Sequence, residues 1–111
     1  MGILELGNLL KTIMVGSNPI EVWYDHYVPT IAKPTIAPPF ILYRVEDSTT
    51  LKADDKVHYQ ENNYIIDLIS DVKNVVLEQQ LETLLNDNYL PYDKEEDYLG
   101  NERIFQTRYF I

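Results

Sequence analysis

Four prolines stand within the fifteen residues from Asp25 to Pro39, at positions 29, 34, 38 and 39. Proline lacks an amide donor and fixes φ, so neither a helix interior nor a central strand can run through this stretch. It reads as an extended loop, residues 25–39, forming few backbone hydrogen bonds of its own. At this length it is long for a connection inside a compact domain. Ile31 and Ile36 are apolar residues within it that lack an evident local core. They are expected to dock on this subunit or on a neighbour.

Regular elements fall on either side. Leu6, Leu9, Leu10 and Ile13 recur at helical spacing and predict an amphipathic helix from Gly2 to Met14, stopped by Gly16 to Pro19. Ile20 to Tyr24 predicts a short strand. After the loop, Phe40 to Glu46 alternates, with Ile41, Tyr43 and Val45 opposite Leu42, Arg44 and Glu46. Asp47 to Asp55 reads as turn-like and Lys56 to Gln60 as a short strand. Asn62-Asn63 reads as a tight turn into the apolar strand Tyr64 to Ser70. That strand is apolar on both faces, which suggests a central position or one face at an interface. Asn74 caps a second helix, with Leu77, Leu81, Leu84 and Leu85 inward and Glu78, Gln79, Gln80 and Glu82 as the wet face. A strand from Leu90, a turn at Gly100-Asn101 and a final strand to Ile111 complete the chain. The principal elements run α-β-β-β-α-β-β. The expected class is α+β, a mainly antiparallel sheet with two helices packed on one face, in a single domain spanning residues 1–111.

The 111 residues suit one domain. Such a chain buries roughly two thirds of its extended surface. There is no cysteine, so no disulfide or thiolate metal site is possible. No apolar run is long enough to span a bilayer, and the start has no secretory pattern, so a cytoplasmic location is expected. Eighteen Asp and Glu oppose nine Lys and Arg, a net charge of −9. That charge repels nucleic acid and anionic membranes, and it also favours solubility.

Motifs of catalysis are missing. His26 and His58 are the only histidines, and no serine sits in a nucleophile-elbow pattern. Asp93, Glu95 and Asp97 imitate the start of a calcium loop, but Tyr98 stands where its glycine belongs. Phosphate-binding glycine loops cannot be written. The expectation is a chain that is not an enzyme and takes no cofactor and no metal. Tyrosine, in contrast, is abundant, with nine copies. It favours strands and also protein interfaces. Trp23, Tyr24, Tyr27, Ile31 and Ile36 are the candidate subunit-interface residues.

From Phe40 onward the chain resembles the tail-terminator, or tail-completion (head-tail joining), proteins of siphophages of Gram-positive bacteria and their prophages. The resemblance is carried by Pro39-Phe40-Ile41-Leu42-Tyr43, by Lys52-Ala53-Asp54-Asp55-Lys56-Val57 and by Asn63-Tyr64-Ile65-Ile66-Asp67-Leu68-Ile69-Ser70-Asp71. The helix from Glu78 to Leu85, Leu90-Pro91-Tyr92 and the terminal Tyr109-Phe110-Ile111 continue it. The loop from Asp25 to Pro39 is longer and richer in proline than that pattern. The resemblance implies a small α+β subunit that assembles as a hexameric ring on the head-proximal end of a tail tube. There it stops tube growth and docks the head connector. Implied partners are copies of itself, the major tail tube protein and the head-completion protein. Implied locations are the host cytoplasm and then the virion. It brings no catalytic residues. Asp54, Asp55, Glu95 and Asp97 are the candidate acids facing a lumen through which DNA slides. The competing readings are a head-completion or neck connector and an acidic stand-alone module that binds a phage or host protein.

Overall fold

The leucine-rich start coils into α1 (Ile3–Leu10), shorter than its periodicity predicts. Thr12 ends it early: both its hydroxyl (2.6 Å) and its amide (3.0 Å) donate to the Leu9 carbonyl. Ile13 still reaches the core, so the apolar spacing was sound although the backbone there is no longer helical. The computed structural model of the chain describes residues 2–53 and 56–111, with backbone alone at 47–53 and 56–62. Among them α1 is followed by a two-residue ribbon, β1 (Met14–Val15) and β2 (Asn18–Pro19), turned by Gly16 at φ +62°. Then come β3 (Glu21–Tyr24), β4 (Phe40–Ala53), β5 (Lys56–Ser70), α2 (Val75–Asp87), β6 (Asp93–Leu99) and β7 (Ile104–Phe110).

The class is α+β. The five-stranded sheet has the order β3-β4-β5-β7-β6 and is mixed. All its pairings are antiparallel except β3 with β4, which is parallel because the proline loop carries the chain back to the same end. The sequence pattern departs most at β4 and β5. These form one long hairpin in which Asn62 and Asn63 pair with Ser48 and Asp47 instead of turning. Register shifts between Val45 and Asp47 and between Leu51 and Lys52 mark bulges, which strengthen local twist. Asp47 to Asp55 and Asn62-Asn63 are polar in sequence, so they read as turns on either side of the short strand Lys56 to Gln60.

The core draws on Leu6 and Leu10 of α1, Leu77, Leu81 and Leu85 of α2, and alternate strand residues Ile41, Tyr64, Ile66, Leu68 and Tyr109. Asn74 caps α2 as expected, its Oδ1 accepting from the Leu77 amide at 3.1 Å. At the other end Tyr89, at φ 57°, closes the helix, with its amide on Asn86 O and the Leu90 amide on Leu85 O. Glu78 and Glu82 are not part of a wet face. Glu78 is 3% exposed and lies 2.8 Å from Lys94 Nζ and 2.9 Å from Lys73 Nζ. Glu82 accepts from Tyr92 Oη and Tyr109 Oη, each at 3.0 Å, and from Lys94 Nζ at 3.2 Å. Burial pushes both carboxyls up, but these hydrogen bonds outweigh it and hold both below 4.5. On the other flank of α2, Gln80 accepts from the Met14 amide and donates to the Met14 carbonyl.

Two outcomes follow from this packing. Because Glu78 and Glu82 titrate below 4.5 in the fold, their contribution is present above that pH and lost as pH falls through the lowered values. Glu78→Gln should therefore cost about 1–3 kcal/mol at neutral pH and flatten the acid limb of a urea-stability profile. Gly7 faces Tyr43 so closely that a Cβ there would lie 2.9 Å from the ring Cζ and nearer still to the hydroxyl. Helix propensity favours Ala by about 1 kcal/mol, but overpacking costs about 1–3 kcal/mol. Gly7→Ala should lower the urea midpoint, and adding Tyr43→Phe should recover part of the loss.

Candidate interaction surface

Strand alternation sends Trp23, Leu42, Asp67, Arg108 and Glu95 to the face opposite the core, as one cross-strand row. Beside it run Phe40, Ile69, Gln106 and Asp97, and on its other side Arg44, Ile65, Phe110 and Asp93. Ile65, Asp67 and Ile69, on the middle strand, are buried, while Phe40, Leu42 and Phe110 are half-buried. This face therefore grades from an aromatic and aliphatic side at β3–β4 to an acidic side at β6. Arg108 holds the buried Asp67 by two bonds, Nε to Oδ1 at 2.7 Å and Nη2 to Oδ2 at 3.2 Å. Its planar fork matches the carboxylate, so the charge is compensated where water is scarce.

The proline loop folds back on the β3 end of this face. Tyr27 meets Trp23 edge-on at 4.9 Å, and its hydroxyl donates to the Lys33 carbonyl at 2.6 Å. The Lys33 amide donates to Thr30 Oγ1, and Lys33 Nζ reaches Glu21 Oε1 at 3.1 Å. Glu21 also accepts from the Trp23 indole, and the Lys33 and Trp23 bonds hold its carboxyl below the usual range. These contacts make residues 27–33 a defined projection. Ile31 stands at its crest with a relative exposure of 104%, and Val28 is also exposed.

The candidate interface residues are thus only partly brought together. Trp23 and Tyr27 meet edge-on, and Ile31 of the same loop is fully exposed. Tyr24 turns to the other face, edge-on to Tyr43 at 5.4 Å, where the Val45 amide donates to its hydroxyl. Ile36 is half-buried. Of the candidate acids, Glu95 and Asp97 are exposed on β6 and, with Gln106 and Arg108, line a shallow cavity of about 150 Å³. Asp54 and Asp55 lie outside the described residues, as does the side chain of His58. His26 is exposed, its Nδ1 3.0 Å from Asp25 Oδ2. Among the described residues no three His, Asp or Glu side chains come together as a metal site, and no helix is long and apolar enough to cross a membrane.

Sequence reasoning passed over Asp67, Arg108 and Glu21. Asp67 did leave a signal: a carboxylate inside the apolar run Tyr64 to Ser70 demands a cation from an adjacent strand. Glu21 left none, since its partners arrive from a loop without periodicity. No protein-family model matches the chain, and no curated protein matches it in sequence.

Removing one member of the buried pair strands the other. Arg108→Met should destabilise the chain by about 1–3 kcal/mol, since an unpaired polar group in this setting carries that cost. Combining it with Asp67→Asn should restore much of the loss. Chemical denaturation of the two single variants and the double variant measures this coupling, and strictly additive losses would show that the two residues act independently.

Proposed function

We propose that this chain is a structural virion subunit of the tail-terminator kind, which assembles as a ring, caps the head-proximal end of a tail tube and joins it to the head connector. The observation that carries this reading is the β4–β5 ribbon. From Asp47 to Ala53 and from Lys56 to Asn62 its strands pair with each other, and among the described residues no third strand joins either. An isolated two-stranded ribbon is marginal in water. It gains from lying against other subunits, as a ring provides. At about 3.3 Å per residue the 14 residues of β4 span about 46 Å, close to the molecule's 51 Å length. The part of β4 in the ribbon, Asp47–Ala53, takes about half of that span, about 23 Å, so the arm is about as long as the sheet portion of the same strand.

Other features support the same reading. Taking both helices as one layer on the core face leaves the opposite face, with Trp23, Phe40, Leu42 and Phe110, for a neighbour to cover. Exposed Glu95 and Asp97 suit a channel wall that DNA passes without adhering, because phosphates are repelled. The subunit would be made in the host cytoplasm and end in the virion, with itself, the tube protein and the connector as partners.

The test uses purified tube protein growing in vitro. With the chain added, tubes should stop at shorter lengths and carry label for the chain at one end only. Unchanged tube lengths with no end label would overturn the proposal. Trp23 is the single tryptophan. Its emission should shift to the blue on assembly, since it lies at the face left for a neighbour.

A further inference from the structure

The exposed large apolar side chains fall into two patches and a scatter. One patch is the crest of the proline loop, Val28 and Ile31. The other is Val72, Val75 and Val76 at the start of α2, each at least half exposed. Val76 also borders a groove of about 390 Å³ between α2 and the end of the first helical segment, with Ile13 and Leu84 among its lining residues. A projection and a groove sit on different elements of one chain. Two such surfaces that fit each other make a head-to-tail contact, the kind that builds rings.

Charge selects the same pairing. Two copies at −9 repel, so contact is favoured where one side lacks acids. From Tyr27 to Val45 there is no Asp or Glu, and Lys33 and Arg44 are the charges, so the one acid bonded to the loop, Glu21 of β3, is paired with Lys33. The groove side carries exposed Asp71 and Asp87 at the two ends of α2, with Asp87 on the groove itself. We propose that the loop crest at Val28–Ile31 of one copy docks in the groove beside Val76 and Leu84 of a second copy, with Lys33, half exposed while bonded to Glu21, also reaching Asp87. This rests on the ring reading and names the contact that would build it. The loop is suited to such a role because Tyr27, Thr30, Lys33 and Glu21 already fix its shape, so little conformational entropy is lost on docking.

The chain has no cysteine, so an introduced pair reports without background. Ile31→Cys and Val76→Cys would be made as separate chains, mixed and oxidised, with Leu4→Cys, an exposed position of α1 that is not among the groove's lining residues, replacing each in turn as control. The mixed Ile31–Val76 disulfide should form severalfold more than any control pair. The double variant should give a ladder of covalent multimers where single variants stop at dimers. Native chain that sediments as an oligomer while the mixed disulfide stays at control level would overturn this contact and leave the ring standing. Native chain that stays monomeric even beside assembled tube protein, again with control-level crosslinking, would overturn both.

Discussion

The middle strand of the sheet is buried on both of its faces, and the rest of the molecule is arranged around that demand. From Tyr64 to Ser70 every residue is buried. On one face Tyr64, Ile66 and Leu68 belong to the hydrophobic core cluster. On the other, Ile65 and Ile69 are screened by their cross-strand neighbours, and Asp67 between them is tolerated because Arg108 reaches across from β7. Burial of an aliphatic side chain contributes about 1.5–3 kcal/mol, whereas an unpaired carboxylate there costs more than such a gain. The pair therefore decides whether the second face can stay closed around the strand.

The polar side of α2 answers a related problem. A helix whose inward stripe is Leu77, Leu81 and Leu85 is held by apolar packing, which is indifferent to small rotations. Glu78 and Glu82 remove that freedom. Each takes bonds from fixed positions on β6, and Glu82 also from Tyr92 and Tyr109. The opposite flank is fixed by Gln80 on the Met14 backbone. With both flanks hydrogen-bonded, α2 is set in rotation and register as well as in depth. The position of Val76 and Asp87 on its outer side is set with it.

The parts of the fold legible in the sequence were those written in apolar periodicity. Leu77, Leu81 and Leu85 of α2, the Asn74 cap and the alternation of β4 from Phe40 to Glu46 stand in the structure as read, while Leu84 of the expected stripe is only half-buried. What escaped was written in polar partnership across distance. Glu78 and Glu82 look like a solvated face until Lys94 and the tyrosines arrive from strands many residues later. Asp47 to Asp55 and Asn62-Asn63 look like turns on either side of the short strand Lys56 to Gln60, because a two-stranded ladder satisfies backbone groups whatever the side chains are. The edge strand β3 was legible as a strand, but its parallel pairing was hidden for a similar reason. Its pairing with β4 depends on where a fifteen-residue proline loop returns, and no local pattern encodes that. Of the interface candidates, Trp23, Tyr27 and Ile31 share one projection, while Tyr24 was divided from them by strand alternation alone.

Acidic charge and self-association are opposed, and the distribution of charge along the chain resolves the opposition. A uniform spread of −9 would make every approach of two copies repulsive, by an amount that grows as salt falls. Here the acids are concentrated on β6, on α2 and its flanks and on the ribbon, and Tyr27 to Val45 has none. That acid-free stretch also carries Ile31, the barest apolar residue of those described, on a loop that Glu21 and Tyr27 keep in one shape. Apolar attraction and reduced repulsion thus coincide at one site. In the proposed contact that site meets a groove with Asp87 on its lining, which would favour a head-to-tail approach over a symmetric one, because a symmetric contact would set two copies of one charged surface against each other.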